Sequence, residues 1–330
     1  MAHEIDMSSD QENIAFVGKL PWHGLGKELT EDATIEVWKE QSGLNFVVLP
    51  APVLFKPNGC EETLVMPNRK LLYRSDTKAP LSVVSSGFKV VQPGDTLEFY
   101  RSLIENSDFK METAGSLFGG RKFWALARCG ESLRLMGQDE IRPYLLLASA
   151  CDGSMSTVAH FTSVRVVCNN TLRMAVGANG QKAAVRVPHS AQFDPEQAKA
   201  ELGIVGDLWK IFGETAYKLA STKIEHDDAV DLVAKQMKTD WKEGMTHNEM
   251  LASSSSLRSI IRLFDGEAKG AEYKSSKGTA WGLLNAVTEH FDHEVSRSTG
   301  DNSRAFERAH LTDRAAFKVD FGNELLKLAA

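Results

Sequence analysis

Between residues 46 and 168 the chain alternates short apolar runs with turn-forming residues, and this pattern constrains the fold more than any other feature. Runs of about four to eight residues separated by Pro, Gly, Asn and Asp are typical of consecutive β-hairpins. From about Pro195 onward, apolar residues recur at every third or fourth position, which predicts helices. The sequence therefore predicts an α+β fold, with a strand-rich domain over residues 1–190 and a helical region over 191–330.

The strongest hairpin signal lies at Asp152-Gly153, between the apolar runs 142–151 and 155–168. Asp-Gly between two such runs favours a tight turn of two residues. A two-residue turn at this point sets Tyr144 opposite Phe161.

A helix is predicted directly after this hairpin, because Asn169-Asn170-Thr171 can cap a helix through Leu172 and Met174. With an earlier hairpin around residues 109–128, the predicted core is a β-hairpin, a second β-hairpin and a helix within an antiparallel sheet. A mostly helical C-terminal region follows, which either caps the sheet or joins subunits.

Positive charge is concentrated in the middle of an acidic chain. The 330 residues carry a net charge of −6, whereas residues 101–190 hold 11 Lys and Arg against 7 Asp and Glu. A basic patch inside an acidic protein indicates a local binding site for an anion. An anionic ligand is therefore expected at the strand-rich middle.

A glycine loop at residues 115–120 joins a predicted strand at 109–114 to a returning strand at 121–128. A nucleotide P-loop needs Gly-Lys-Ser/Thr at the start of a helix, whereas Arg121-Lys122-Phe123-Trp124 and a strand follow this loop, so a Walker motif is excluded. Two interpretations remain open. The loop is a plain hairpin turn, or it also presents Arg121 and Lys122 to a phosphate backbone.

Side-chain alternation places cations and aromatic rings on shared strand faces. Lys122, Trp124 and Arg128 share one face of the first strand, and Phe161 shares a face with Arg165 on the second. Cations that follow a backbone, with rings that stack under bases, are the combination that binds single-stranded nucleic acid. An amphipathic sheet with solvated cations is the alternative. The predicted nucleic-acid-binding residues are Phe118, Arg121, Lys122, Trp124, Arg128, Phe161, Arg165 and Arg173.

No residue set in the sequence identifies a catalytic site. Asp152, Ser154 and His160 cluster, but the G-x-S-x-G elbow of a hydrolase is absent. Cys168 and His160 lie eight residues apart on one predicted strand, roughly 26 Å, which is too far for a catalytic pair. The chain is therefore predicted not to be an enzyme.

No metal or cofactor is predicted either. His290 and His293 form an H-x-x-H pair that shares a helix face, but zinc needs three or four ligands and H-E-x-x-H is absent. The four cysteines include no C-x-x-C pair. Because residues 1–6 lack the pattern of a secretion signal and no apolar run approaches the roughly 20 residues that cross a bilayer, a cytoplasmic protein without membrane contact is expected.

Several motifs resemble the phage- and plasmid-like family that carries a domain of unknown function, number 932. They are residues 1–7, 21–26, 51–53, 115–121, 152–154, 164–172, 278–281 and 285–289. The resemblance implies a mobile-element origin in a bacterial host and supplies no catalytic residues. The predicted architecture, with its basic and aromatic face, is also similar to the core of single-strand annealing proteins of the Rad52/Redβ kind, which hold single-stranded DNA in a basic groove as rings or helices.

Two functional hypotheses follow. The first is a single-stranded DNA-binding or annealing protein of a phage or plasmid, which acts in recombination or replication and self-associates as a ring or filament. The alternative is a mobile-element interaction protein that binds a host defence or replication factor without catalysis, as the acidic flanks and the long amphipathic tail favour. An enzyme with an unrecognised site is a third hypothesis.

Overall fold

The structure, a computed structural model, describes residues 5–7, 12–18, 25–106, 109–165, 170–172, 184–202, 205–238, 244–295 and 313–329. It confirms an α+β fold with hairpin-built antiparallel strands and a helical C-terminal region. The strands are β1 (Ile14–Val17), β2 (Lys27–Leu29), β3 (Val48–Phe55), β4 (Leu64–Arg74), β5 (Pro80–Ser85), β6 (Phe109–Leu117), β7 (Lys122–Cys129), β8 (Leu133–Leu135), β9 (Asp139–Ala150), β10 (Thr157–Arg165), β11 (Asn170–Leu172) and β12 (Ala184–Val187).

Two helices lie among the strands and the others follow them. The α-helices of the described residues are α1 (Ile35–Gln41), α2 (Pro93–Asn106), α3 (Pro195–Leu202), α4 (Val205–Ser221), α5 (His226–Gln236), α6 (His247–Ser253), α7 (Ser255–Arg262), α8 (Ala280–Glu289) and α9 (Asp313–Leu328). A 3₁₀ turn spans Phe118–Gly120, and π-helical turns span Leu263–Glu267 and His290–Glu294.

The larger sheet has nine strands in the order β11-β10-β9-β7-β6-β1-β2, with β12 paired to β10 and β8 paired to β9. Its pairs are antiparallel except β1 with β2, which is parallel. The hairpins β6–β7 and β9–β10 form its centre, as the sequence predicts.

The turn between β9 and β10 is longer than the two residues that Asp152-Gly153 predicts. The connection leaves residues 151–156 outside both strands, and Tyr144 pairs with Thr162 rather than with Phe161. Phe161 pairs with Leu145 instead. Since a slip of one residue moves a side chain to the other face of a sheet, this register decides where Phe161 points.

One face of the large sheet is covered by helices and carries the main apolar core. Phe123, Ala125 and Ala127 of β7 are buried there. Tyr100 of α2 lies against them, and its hydroxyl is 3.0 Å from the carbonyl oxygen of Ala125 and 2.8 Å from that of Leu145. The helix is thereby anchored to the two central strands through a buried polar contact.

The C-terminal helices continue this same core. Trp209 and Phe212 of α4 stack with ring centroids 5.1 Å apart, and Trp209 lies 5.9 Å from the ring of Phe161. On α8, the indole nitrogen of Trp281 donates to the buried carboxylate of Asp139 at 2.9 Å. The helical region therefore packs directly on the strands, and the boundary near residue 190 stays a prediction.

The opposite face of the sheet carries a second apolar cluster, which consists of Ile5, Ile14, Leu117, Trp124, Leu126, Tyr144, Leu146 and Ala148. The three strands β3, β4 and β5 form a separate antiparallel sheet, in that order. Its inner residues pack with Cys151, which follows β9. The small sheet thus lies beside the turn end of the β6–β7 and β9–β10 hairpins.

The helix predicted after Cys168 is wrong at its first turn. Asn170–Leu172 form strand β11, in which Leu172 pairs with Ser163 and Asn170 with Arg165. The free edge of β10 offers these residues backbone partners, so pairing overrides the capping preference of Asn and Thr. Met174 lies outside the described residues.

Candidate nucleic-acid interface

The turn between β6 and β7 has an unusual backbone. Phe118, Gly119 and Gly120 have φ values of 55°, 70° and 89°. Glycine adopts such angles freely, but for a residue with a Cβ atom this backbone conformation costs roughly 1–2 kcal/mol of conformational free energy. Strain of this kind at Phe118 persists only where the surrounding structure holds the backbone in place, and it is common at binding sites.

The same turn brings together an aromatic ring and two cations, Phe118, Arg121 and Lys122, which we call the turn cluster. Phe118 is half-buried against the second apolar cluster. The Lys122 Nζ atom lies 5.3 Å from the centroid of its ring, a cation–π distance. The exposed Arg121 donates from Nε to the carbonyl oxygen of Phe118 at 3.0 Å. Within the described part of the chain, its two terminal nitrogens form neither a hydrogen bond nor an ion pair, so they can receive an anion.

A buried ion pair supports the turn cluster from below. Arg74, at the end of β4, is 1% exposed and pairs through Nη1 with the buried carboxylate of Asp6. The same nitrogen donates to the carbonyl oxygen of Gly119 at 3.2 Å. Asp6 also accepts from Asn13 Nδ2 at 2.7 Å and from Ser116 Oγ at 3.2 Å. The Arg74 network, which we define as Arg74, Asp6, Asn13 and Ser116, therefore ties the small sheet and the N-terminal segment to the glycine loop.

Close packing at Gly120 completes this support. A Cβ atom on Gly120 would lie 2.7 Å from Arg74 Nη1 and 2.8 Å from Cζ of Phe46. The guanidinium of Arg74 stacks on the Phe46 ring at 3.9 Å. Cys151 lies alongside, and burial raises the pKa of its thiol to about 12. That thiol is protonated at neutral pH and is not a nucleophile.

Asp76 is the outer partner of Arg74, and it makes part of the stability depend on pH. Two hydrogen bonds from Arg74, at 3.0 and 2.7 Å, lower the pKa of Asp76 to about 2 against the opposing effect of burial. Because the folded pKa lies below the unfolded value of about 3.9, the stabilisation is present above pH 4 and is lost as the pH falls towards 2. The carboxylate is 38% exposed, and solvent screening limits its contribution to about 1 kcal/mol or less.

We expect Asp76→Asn to remove this pH-dependent part. Urea midpoints measured between pH 6 and pH 2 should fall less steeply for the variant than for the natural chain, and the two should converge near pH 2. If the urea midpoints of the two chains fell in parallel with pH, with a constant difference between them, the pH-dependent role of Asp76 would be contradicted.

The predicted aromatic rings of β7 and β10 lie on opposite faces of the folded sheet. Trp124 is 3% exposed and belongs to the second apolar cluster, while Phe161 is 5% exposed and belongs to the helix-covered core on the other face. The prediction that these rings form stacking platforms is therefore wrong for this conformation. The longer β9–β10 turn sets the register that separates them.

Arg128 lies at the opposite end of β7 from the turn cluster. Its backbone pairs with that of Tyr144 on β9, and the Tyr144 hydroxyl donates to Glu112 at 2.7 Å. Burial raises the pKa of Glu112, and the charges of Arg128 and Arg142 act against that rise. The charge of Arg128 acts on Glu31 and Glu112, and its place at the far end of β7 keeps it out of the basic patch at the turn.

Arg165 and Arg173 are the other two predicted cations. The backbone of Arg165 pairs with Ile141 at the end of β10 that lies away from the turn. Arg173 lies outside the described residues.

The residues of the alternative catalytic and metal hypotheses have other contacts in the structure. The carboxylate of Asp152 accepts from the backbone N–H of Ser154 at 2.9 Å as part of the turn, and His160 is buried on β10. His290 lies 3.1 Å from Ser259 Oγ, and His293 follows on the same π-helical turn. The described residues include no group of three His, Cys, Asp or Glu side chains that could hold a metal ion. Cys168 lies outside them.

Sequence reasoning missed Arg74 and Asp6, which position the turn. They lie 68 residues apart in the chain, and no local pattern connects them. A single arginine in a strand gives no periodic signal in the sequence, so only the tertiary fold shows its pairing with Asp6.

The model of the family described as a domain of unknown function (DUF932) matches residues 80–312. The chain belongs to the DUF932 family. The match includes the turn cluster and the hairpins β6–β7 and β9–β10, whereas Asp6, Arg74 and strands β3 and β4 precede it. No curated protein and no solved structure matches this DUF932 chain. Among its described helices, none has both the length and the apolar character that a bilayer crossing requires.

Proposed function

We propose that this DUF932 protein binds single-stranded DNA without catalysis, through the turn cluster of Phe118, Arg121 and Lys122. The observation that supports this function is the hydrogen-bonded turn that carries a half-exposed aromatic ring beside an exposed arginine, whose two terminal nitrogens have no partner among the described residues. Base–aromatic stacking contributes about 1–3 kcal/mol per base and tolerates any sequence. Cations next to the ring follow the phosphate backbone.

The setting that we propose is recombination or replication of a phage or plasmid in the cytoplasm of a bacterial host, with annealing of complementary strands as the activity. The motifs at residues 115–121 and 152–154 resemble those of the phage- and plasmid-like family, and this resemblance supports the setting. Both motifs lie at the turn end of the sheet, where the turn cluster is. A site with two cations releases few counterions, so one copy binds weakly. Several copies along one strand would be needed for firm binding, and the proposal therefore includes self-association.

Salt dependence tests the proposal. For a single strand, the slope of log K against log salt is about −0.7 for each neutralised phosphate, so two cations give about −1.4. Titration of a fluorescent single-stranded oligonucleotide of about 20 nucleotides should give an affinity about sevenfold lower at ~200 mM than at ~50 mM salt. Absence of binding at the lower concentration, or equal affinity at both, would overturn it.

A host protein is the second candidate partner, as part of a mobile-element interaction protein. The observation that favours it is the group of exposed apolar side chains on the small sheet, because such patches mark protein contacts. Recovery of one stoichiometric host defence or replication factor with the tagged chain, without nucleic acid, would favour this function over the first.

A further inference from the structure

The exposed large apolar side chains of the described residues concentrate on one small part of the molecule. Ten such side chains are exposed, and seven of them belong to β3, β4, β5 or the residue before β3. Five of the seven lie in residues 53–67, which we call the arm, and each is more than 40% exposed. They are Leu54, Phe55, Leu64, Val65 and Met66.

The arm projects beyond the rest of its sheet. Strand β5 pairs with β4 only from Arg69 to Tyr73, so residues 64 and 65 pair with β3 alone. Leu54 pairs with Val65, and Phe55 pairs with Leu64. Adjacent pairs point to opposite faces, so both faces of this two-stranded ribbon are apolar. A two-stranded ribbon is marginally stable in water by itself, and a partner that covers one face would stabilise it.

We propose that the arm is the contact through which two copies of this chain form a dimer. A two-fold contact uses the same patch on both copies, so the patch must be complementary to itself. The arm meets this condition when two copies lie antiparallel. Its tip carries Glu61, Glu62 and the exposed Lys56, a net charge of −1, and the exposed Arg69 is at its base. Within the described residues, the side chain of Arg69 forms neither a hydrogen bond nor an ion pair, while its backbone pairs with Ser85 of β5.

Antiparallel packing places the acidic tip of each copy against the basic base of the other. The apolar pair Leu54 and Val65 then lies in the centre, with opposite charges at each end. Charge complementarity of this kind fixes the orientation of a contact and disfavours other partners. The acidic tip also disfavours an anionic membrane or a nucleic acid as the occupant.

Strand addition at the edge of β3 is disfavoured, so we expect face-to-face packing. Pro50 and Pro52 lie on this edge strand, and proline lacks the N–H group that a further strand would need. Proline on an edge strand is a common protection against uncontrolled pairing, while the faces of the arm remain open to one defined partner.

Sedimentation velocity of the full chain without DNA tests the dimer, independently of the proposed DNA binding. The natural chain should sediment as a dimer, and Leu54→Asp combined with Val65→Asp should weaken association at least a hundredfold. Tyr217→Asp is the matched control, because Tyr217 is an equally exposed side chain on α4, outside the arm. A monomeric natural chain, or a double variant that dimerises like the natural chain with the same circular dichroism, would overturn the proposal.

A disulfide tests the tip-to-base arrangement. Cys60 lies at the arm tip as a free cysteine, and Arg69→Cys adds a thiol at the base. A disulfide within one copy leaves the monomer mass unchanged on a non-reducing gel, whereas a tip-to-base contact brings thiols of two copies together. Mild oxidation should therefore link two copies. Arg69→Cys with Cys60→Ser should remain unlinked, and a dimer that gives no Cys60-dependent link would exclude this arrangement.

Discussion

Replacing Arg74 with Met is expected to destabilise the folded protein by about 3–5 kcal/mol, because the carboxylate of Asp6 would remain buried without its cation. The carbonyl oxygen of Gly119 would also lose a donor. Urea unfolding followed by circular dichroism measures the loss as a lower midpoint with an unchanged slope.

A double-mutant cycle separates the ion pair from other effects of the substitution. Asp6→Asn combined with Arg74→Met should lower the free energy of unfolding by less than the sum of the two single changes. The reason is that the double variant contains no buried charge without a partner. Arg134→Met is the control, because Arg134 is exposed on β8 and should change stability by no more than about 0.5 kcal/mol. Additive costs for Asp6 and Arg74 would show that the pair is not coupled.

Gly120→Ala is expected to destabilise the protein by about 2–5 kcal/mol. The left-handed backbone contributes roughly 1–2 kcal/mol of this cost, and overpacking against Arg74 and the Phe46 ring contributes about 1–3 kcal/mol. Arg74 cannot simply move away, because its nitrogens are held by Asp6, Asp76 and Gly119.

Gly119→Ala is a matched control for this change. Gly119 has a similar φ of 70°, but nothing lies within 4 Å of its added Cβ atom, so only the backbone cost of roughly 1–2 kcal/mol applies. Urea unfolding of both variants gives the packing cost as the difference between them. Equal losses of stability would show that Gly120 is not closely packed.

The sequence predicted the elements of the sheet better than their register. The β6–β7 and β9–β10 hairpins follow directly from alternation and from Asp152-Gly153. The length of the second turn does not follow, because residues 151–156 form a longer connection in which Cys151 packs under the small sheet. The longer turn shifts the β9–β10 register by one residue, and this shift, which no local pattern shows, places Phe161 in the core.

The candidate site was only partly predictable for a similar reason. The glycine loop identified Arg121 and Lys122 as neighbours of a turn, and Phe118 as a nearby ring. Burial of Trp124 depends on residues from β1, β6 and β9 that meet on one sheet face, so an aromatic residue on an alternating strand did not indicate an exposed ring. Arg74 was beyond sequence reasoning because its partners come from two distant segments.

Salt-dependent binding of turn variants tests the central claim, that the turn cluster binds single-stranded DNA, most directly. Arg121→Ala should reduce the salt slope by about 0.7, whereas Phe118→Ala should lower affinity by about 1–3 kcal/mol with the slope unchanged. Arg128→Ala, at the far end of β7, should bind like the natural chain. Unchanged binding by the first two variants, or an equal loss with Arg128→Ala, would contradict the account.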